Sequence, residues 1–265
     1  AGGAVTLGTT STGTALSVVT TSGDVTLGTT TVGTNLSVNA TSGDVTLDTT
    51  SVGSTLSVTT PSGAVTTTGT TGVNYENIAA TGAVTLGATT VGTDLTISTD
   101  APITNTTAIT DGRQTTLAAG AGDDITLDNA GNKFNYMRVI SGDDVTLFDL
   151  TGITFGSNSS AGGWTSHISG DLSLTAGGDI SQIGQSYSDG YSAIEVDGAT
   201  IFTANGSAPI NLYLGASNPF SGYGGQSNNL AGTVTLASTG APSGFSHVEL
   251  RNTNASAAVL TGLTS

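Results

Sequence analysis

A twenty-residue phrase repeats along the first hundred residues, and it limits the possible folds more than any other feature of the sequence. The segment GDVTL at 23–27 returns at 43–47, and LSV at 36–38 returns at 56–58. A valine opens the same short V-T-x segment in five successive copies: Val5, Val25, Val45, Val65 and Val84. Self-similarity at a short, fixed period is the signature of a protein built from stacked repeats.

Apolar and polar residues alternate within each copy, which predicts β-strands. Val25 and Leu27 should point to one side and Thr26 to the other, so that threonine covers the outside of the molecule. Glycine, 39 of the 265 residues, supplies tight turns, and charged residues make up only 9% of the chain. A copy has room for two or three short strands, too little for a strand–helix–strand unit. The sequence therefore predicts an all-β chain whose coils of about 20 residues stack as parallel strands into a β-helix, or solenoid.

The phrase continues beyond residue 100, but less regularly. It returns in five later segments: 124–127, 144–147, 171–174, 233–236 and 247–250. Three irregular loop inserts interrupt it in the C-terminal half: 158–167, 184–193 and 216–229. We expect one continuous solenoid with regular repeats over 1–100, repeats with inserted loops over 101–205 and a less regular continuation over 206–265. About thirteen coils spaced about 4.8 Å apart would form a rod roughly 60 Å long.

Charge and composition exclude several classes of partner. The formal net charge is −15, so neither a nucleic acid nor an anionic membrane surface is expected as a partner. No apolar stretch is long enough to cross a bilayer, and no membrane insertion is expected. Cysteine is absent, which excludes disulfides and thiol chemistry. Because the chain begins at Ala1 without methionine and ends in repeat-like sequence, we expect a mature piece or a fragment of a longer protein.

Three segments carry a resemblance to a known family. They are LGTTTVGTNLSVNATSGDVTL at 27–47, AGAGDDITLDNAGNKFNYMRVISGDDVTLFDLTGITFG at 119–156 and SGDLSLTAGGDISQIG at 169–184. They resemble the repeats of large bacterial exoproteins and adhesins of the filamentous-haemagglutinin type. The likeness extends to about residue 205, and beyond that point only the general style of the sequence is similar.

The resemblance implies a right-handed parallel β-helix that is secreted or displayed on the bacterial cell surface. It implies export by two-partner secretion, with an outer-membrane secretion partner for the full-length protein. It also implies a role as the shaft of an adhesin or of a matrix (biofilm) fibre. The partners expected from it are a second copy of the chain, or a glycan or protein on a host or matrix surface. Repeats of this type contribute no catalytic residues.

Two acidic pairs, one period apart, are candidate calcium ligands: Asp123, Asp124, Asp143 and Asp144. Stacking would bring their like charges within about 4.8 Å of each other, and a Ca²⁺ ion, which prefers oxygen ligands, would relieve the repulsion. Against this hypothesis, the calcium-binding nonapeptide G-G-x-G-x-D is absent. Solvated aspartate turns ahead of each strand would explain the same pattern. Both interpretations stay open, and no cofactor other than calcium is expected.

The late inserts are rich in aromatic residues, and these are candidate glycan ligands: Trp164, Tyr187, Tyr191, Phe220 and Tyr223. Exposed rings can stack on sugars while neighbouring Asn and Ser side chains bind the hydroxyl groups. Alternatively, the rings pin each loop to the shaft and cover its apolar columns. A polysaccharide-binding or polysaccharide-cleaving β-helix is therefore the alternative to a bare shaft.

The candidate groupings of catalytic residues in this sequence are incomplete, and we expect that the protein is not an enzyme. A lyase would need a base beside an acidic cluster, and of the four basic residues only Lys133 and Arg138 approach the pair at 143–144. A glycosidase needs two carboxylates in a cleft, whereas acidic turns on adjacent coils should form a ridge. His167 and His247 are far apart and show no serine–aspartate grouping.

Overall fold

Parallel strands stack edge to edge in columns along the whole molecule. The structure, a computed structural model, describes residues 2–156, 165–183, 193–215, 228–239 and 244–254, and the backbone of 260–261. The first column consists of twelve strands: β1 (Val5–Leu7), β4 (Val25–Leu27), β7 (Val45–Val52), β9 (Val65–Ala80), β10 (Val84–Leu86), β12 (Ile103–Asn105), β15 (Ile125–Leu127), β17 (Val145–Asp149), β20 (Leu172–Ala176), β23 (Thr200–Ala204), β26 (Val234–Ser238) and β28 (Leu260–Thr261). Neighbours are in register, with Val5 opposite Val25 and Val25 opposite Val45. Twelve coils spaced about 4.8 Å apart span roughly 50 Å, whereas the sequence predicted about thirteen coils and a length of roughly 60 Å.

Two further columns complete each coil. The second contains β2 (Thr10–Thr12), β5 (Thr30–Val32) and β13 (Ile109–Asp111), with the middle parts of β7, β9 and β11 (Ala88–Ser98). The third contains β3 (Leu16–Thr20), β6 (Leu36–Ala40), β8 (Thr55–Thr60), β14 (Gln114–Ala118), β16 (Tyr136–Ser141) and β27 (Phe245–Leu250), with the ends of β9 and β11. All these strand pairs are parallel, so the predicted all-β parallel β-helix is confirmed. In the part of the chain that the structure describes, no helix is long and apolar enough to span a membrane.

In three late coils, the strand of the third column is split into two halves. Its first half is formed there by β18 (Ile153–Phe155), β21 (Ile180–Gln182) and β24 (Ile210–Leu214). Its second half is formed by β19 (Ser166–Ile168), β22 (Ile194–Val196) and β25 (Asn229–Leu230), which pair with one another as a separate three-stranded sheet. Each irregular insert therefore lies within what would be a single strand of a regular coil.

The interior is a continuous apolar column, and it confirms the predicted alternation. Val25 and Leu27 are fully buried, whereas Thr26 between them is exposed. The expectation that threonine only covers the outside is wrong for the second column, where Thr30 and Thr50 are buried. Their hydroxyl groups donate to backbone carbonyl oxygens two residues earlier, at 2.9 and 3.0 Å. A buried threonine is tolerated here because the adjacent turn supplies an acceptor for its hydroxyl group.

One corner of each early coil is closed by a glycine because the coils approach too closely for a side chain. A Cβ atom on Gly33 would lie 2.3 Å from the carbonyl oxygen of Gly13, and one on Gly53 would lie 2.2 Å from that of Gly33. A Cβ atom on Gly13 itself would meet nothing within 4 Å. The repeated glycine is therefore needed where a coil stacks on its predecessor.

Candidate functional site

The four aspartates proposed as calcium ligands lie at one corner of the shaft, just before the first strand of two adjacent coils. The N–H of Asp143 donates to the carbonyl oxygen of Asp123 at 2.9 Å. The N–H of Asp144 donates to Oδ1 of Asp124 at 3.2 Å, and Oδ1 of Asp144 in turn accepts the N–H of Asp171 at 2.8 Å. The predicted stacking of the two acidic pairs is confirmed.

The same contact recurs at this corner in the early coils. Oδ1 of Asp24 accepts the N–H of Asp44 at 2.9 Å, and Oδ1 of Asp44 accepts the N–H of Ala64 at 2.8 Å. One interpretation of the sequence is that these aspartates form solvated turns ahead of each strand. The structure instead uses the carboxylate to hold the backbone of the next coil with a charge-assisted hydrogen bond.

Calcium binding at this corner stays a prediction. Among the described residues no three His, Cys, Asp or Glu side chains group closely enough to hold a metal ion. A calcium ion bound to Asp123, Asp124, Asp143 or Asp144 would therefore need backbone carbonyl oxygens or water to complete its ligands. One oxygen of Asp124 and one of Asp144 already accept backbone N–H groups.

The five aromatic residues proposed for glycan binding lie outside the described residues. These are Trp164, Tyr187, Tyr191, Phe220 and Tyr223. The strands that bound their inserts are described. Strands β18, β21 and β24 pair in order ahead of the inserts, and β19, β22 and β25 pair in order after them. All three inserts thus leave and rejoin the shaft at the same position around its axis, on three consecutive coils.

A row of half-buried aromatic and hydroxyl side chains runs along β16, β18, β21 and β24, immediately ahead of the inserts. Tyr136 is opposite Thr154, Thr154 is opposite Ser181, and Ser181 is opposite Tyr213. The Thr154 and Ser181 hydroxyl groups share a 2.8 Å hydrogen bond. The Tyr213 ring lies 5.1 Å from that of His247, between centroids. This row, here called the tyrosine row, contains no acidic or basic residue between Tyr136 and Tyr213.

Three ion pairs lie outside the acidic corner among the described residues. The Arg113 guanidinium contacts the Asp94 carboxylate on the preceding coil, and this raises the pKa of Arg113. His167 Nδ1 lies 3.3 Å from Glu195 Oε2, and His247 Nε2 lies 3.9 Å from Glu249 Oε2. Both histidines thus face carboxylates, and they lie on different strands, β19 and β27.

The sequence interpretation missed a buried glutamate. Glu76 is fully buried and lies in the third column opposite Leu56 and Leu95. The Thr70 hydroxyl group donates to Glu76 Oε2 at 2.9 Å, and burial raises the pKa of Glu76 to about 7. The signal was present in the repeat, because Glu76 follows Leu56 by twenty residues and precedes Leu95 by nineteen, the spacings that define a coil.

Two buried aspartates were also missed. Asp111 accepts the N–H of Arg113 at 3.2 Å and the hydroxyl of Thr115 at 3.1 Å, and burial raises its pKa to about 6. Asp149 accepts backbone N–H groups of Phe134 and Gly152 at a corner of the shaft, and burial raises its pKa as well. Asp149 has the partners expected of a structural turn residue.

Comparison with known proteins identifies a repeat family. A family model described as repeats of unknown function (DUF5649) matches residues 75–140 and 142–237, which together are more than half of the chain. The chain belongs to the DUF5649 repeat family. No curated protein and no solved structure matches it. None of these comparisons ties the DUF5649 chain to exoproteins of the filamentous-haemagglutinin type.

The DUF5649 segments contain the irregular coils. Glu76 and Asp111 fall in the first DUF5649 segment, and the strands that bound all three inserts fall in the second. The most regular copies of the phrase, in residues 1–74, lie outside both. The features that distinguish this molecule from a plain shaft are therefore in the part that the DUF5649 model covers.

Proposed function

We propose that the chain is a structural shaft segment of a secreted or cell-surface bacterial adhesin or matrix fibre, and that it is not an enzyme. Its inserts would serve attachment to a surface or self-association between copies. The observation that carries this proposal is the position of the inserts, whose bounding strands stack on three consecutive coils. Loops grouped in this way at one side of a stiff rod are suited to contact a surface together.

Export and location belong to the same proposal. The sequence resemblance to filamentous-haemagglutinin-type repeats supports two-partner secretion through an outer-membrane partner. The high net negative charge favours solubility outside the cell rather than binding to an anionic membrane. The expected partners are another copy of the chain, or a glycan or protein of a host or matrix surface.

The decisive experiment compares the chain with a variant in which the three inserts are replaced by short glycine-containing turns. Beads coated with each protein are tested on glycan-coated and protein-coated surfaces, and self-association is measured by analytical ultracentrifugation. Electron microscopy should show rods for both proteins, but only the chain with inserts should adhere or associate. A control with Ser17, Ser37 and Ser57 replaced by alanine alters exposed or partly exposed residues of the regular coils and should retain binding. Equal adhesion by the insert-free variant would refute the proposal.

A polysaccharide-binding or polysaccharide-cleaving β-helix is the second candidate, because the tyrosine row lies next to the inserts. Its neutral aromatic and hydroxyl groups are the kind of surface on which sugar rings stack. The test is binding to a glycan array by the chain and by a Tyr136→Ala/Tyr213→Ala variant and a Trp164→Ala/Tyr223→Ala variant. Release of reducing sugar from a bound glycan would show cleavage. Binding that all variants retain would exclude these aromatic residues as the site.

A further inference from the structure

One glutamate is built into the apolar core of the shaft, and we propose that it binds a proton reversibly and makes the surrounding coils a pH-dependent joint. The joint comprises residues 65–118, from the start of β9 to the end of β14. It is most stable in acidic surroundings and has lost most of this stabilisation by neutral pH. This inference does not depend on what the inserts bind.

The surroundings of Glu76 do not suit an ionised carboxylate. Glu76 occupies the position of Leu56 in the coil before and of Leu95 in the coil after, and it is fully buried. Its Oε2 atom accepts one hydrogen bond, from Thr70, whereas its Oε1 atom has no partner in the described structure. A buried charge with a single hydrogen bond is costly, and the group avoids that cost by holding a proton.

No charged group on the adjoining strands compensates Glu76. Strands β8 and β10 contain no titratable residue, β7 contains Asp48, and β11 contains Asp94. Asp48 is exposed and accepts the Thr68 hydroxyl group on the outer surface, and Asp94 is paired with Arg113. Tyr75, the remaining titratable residue of β9, is exposed. Burial, opposed by the one hydrogen bond from Thr70, thus sets the pKa of Glu76, which rises to about 7.

A second buried acid lies on the far side of the same joint. The residue opposite Leu95 in the next coil is Thr115, whose hydroxyl group donates to Asp111 at 3.1 Å. Burial raises the pKa of Asp111 to about 6. Leu95 thus has the Glu76 carboxyl group beside it in the coil before, and in the coil after it has Thr115, which contacts the Asp111 carboxyl group of the second column. Because the two raised pKa values are close, a variant at each position separates the contribution of Glu76 from that of Asp111.

The direction of the pH effect follows from linkage. The ordinary pKa of a glutamate is 4.5, whereas that of Glu76 in the folded chain is about 7, so between these values the folded chain holds more protons than the unfolded chain. Stability is therefore greatest below about pH 4.5 with respect to this group, and it falls as the pH rises through 7. The folding equilibrium constant should fall on the order of a hundredfold over this range, since each pK unit is a factor of ten.

The test is urea unfolding of the full chain between pH 5 and pH 8, compared with Glu76→Gln and Glu76→Leu variants. The wild-type midpoint should fall as the pH rises from 6 to 8, and both variants should lose most of this fall. The Leu variant restores the column of Leu56 and Leu95 and should also be more stable than the wild type at pH 8. Asp128→Asn, which alters an exposed aspartate that lies away from both histidines' ion pairs, is the control and should keep the wild-type slope.

One further readout makes the outcome decisive. Both histidines remain in every variant, so only the difference between wild type and variant is assigned to Glu76. The infrared carbonyl stretch of protonated carboxylic acids at pH 7 should be stronger in the wild type than in Glu76→Gln or Glu76→Leu, and this difference should largely disappear by pH 9, since Asp111 and Asp149 contribute to all spectra alike. Identical pH slopes in the wild type and the variants, or identical carbonyl signals at pH 7, would each overturn the proposal. The Gln and Leu variants are independent, so the inference is testable even if one of them fails to fold.

Discussion

The backbone N–H of Asp44 donates a 2.9 Å hydrogen bond to Oδ1 of Asp24, the aspartate at the same corner one coil earlier. Asp44 repeats the contact with Ala64, at 2.8 Å. An aspartate in this place therefore acts on the coil that follows it. This contact explains why the phrase keeps Gly-Asp ahead of the strand although the carboxylate contributes nothing to the apolar core.

Replacing Asp44 by alanine removes the acceptor for the Ala64 N–H and should cost about 1 kcal/mol of unfolding free energy, since the bond is charge-assisted but exposed. Asp44→Asn keeps an acceptor oxygen and should cost clearly less. Urea unfolding measures both. Asp128→Ala, at an exposed aspartate after β15, is the control and should change little. A loss as large for Asn as for Ala would show that charge, rather than the hydrogen bond, matters.

Alanine at Gly33 should be much more damaging than alanine at Gly13, although the two glycines occupy the same place in the repeat. The new Cβ atom at Gly33 would lie 2.3 Å from the Gly13 carbonyl oxygen, whereas at Gly13 it would meet open space. We expect a loss of about 2–3 kcal/mol for Gly33→Ala, typical of overpacking, and less than about 0.5 kcal/mol for Gly13→Ala. Thermal or urea unfolding gives both values, and equal losses would contradict the proposed close stacking at this corner.

The pKa of Asp111, raised by burial from 3.8 to about 6, makes a second pH prediction. A folded pKa above the unfolded one means that the contribution of this group is complete below about pH 3.8 and is lost as the pH rises through 6. Asp111→Asn should remove up to about 3 kcal/mol of this pH dependence between pH 4 and pH 6.5. The amide oxygen can still accept the Arg113 N–H, so the fold should persist. An unchanged slope over this range would argue against a protonated Asp111.

Chelation tests the calcium hypothesis at the acidic corner. Because Oδ1 of Asp124 and of Asp144 already accept backbone N–H groups, we expect the melting temperature to be the same with and without a chelator. Magnesium-free buffers with added calcium provide the complementary measurement. A midpoint that rises with calcium and falls with chelator, and that loses this response in Asp143→Asn/Asp144→Asn, would instead establish the site.

The register of the strands could be predicted from the sequence because the pattern is local. Apolar and polar residues alternate in Val25, Thr26 and Leu27, and this alternation predicts the buried face of the strand. The copies recur at a fixed spacing, which predicts the partner strand. The alignment of Glu76 with Leu56 and Leu95 could have been obtained in the same way. Its chemistry could not, because a polar residue within an irregular copy is equally compatible with a loop. Only the burial seen in the structure shows that Glu76 takes the place of a leucine.

For the inserts, the sequence predicts their existence, whereas only the structure shows their common position. Their presence and aromatic composition are evident in the sequence, but their common position depends on how many residues each coil uses before and after the interruption. Pairing of β18 with β21, and of β19 with β22, places the ends of successive inserts next to each other. Those pairings span 27 and 28 residues, so the twenty-residue period could not predict them.

The sequence by itself determined the parallel β-helix, its coil length and its apolar columns, because a short periodic pattern has few ways to bury its apolar side. The tertiary structure decided which residues make specific contacts between coils. Contacts between coils bring Asp24 to the Asp44 backbone, leave no room for a side chain at Gly33 and enclose Glu76. These are distances across a stack, set by packing between residues about twenty positions apart, and no local pattern in the chain encodes them.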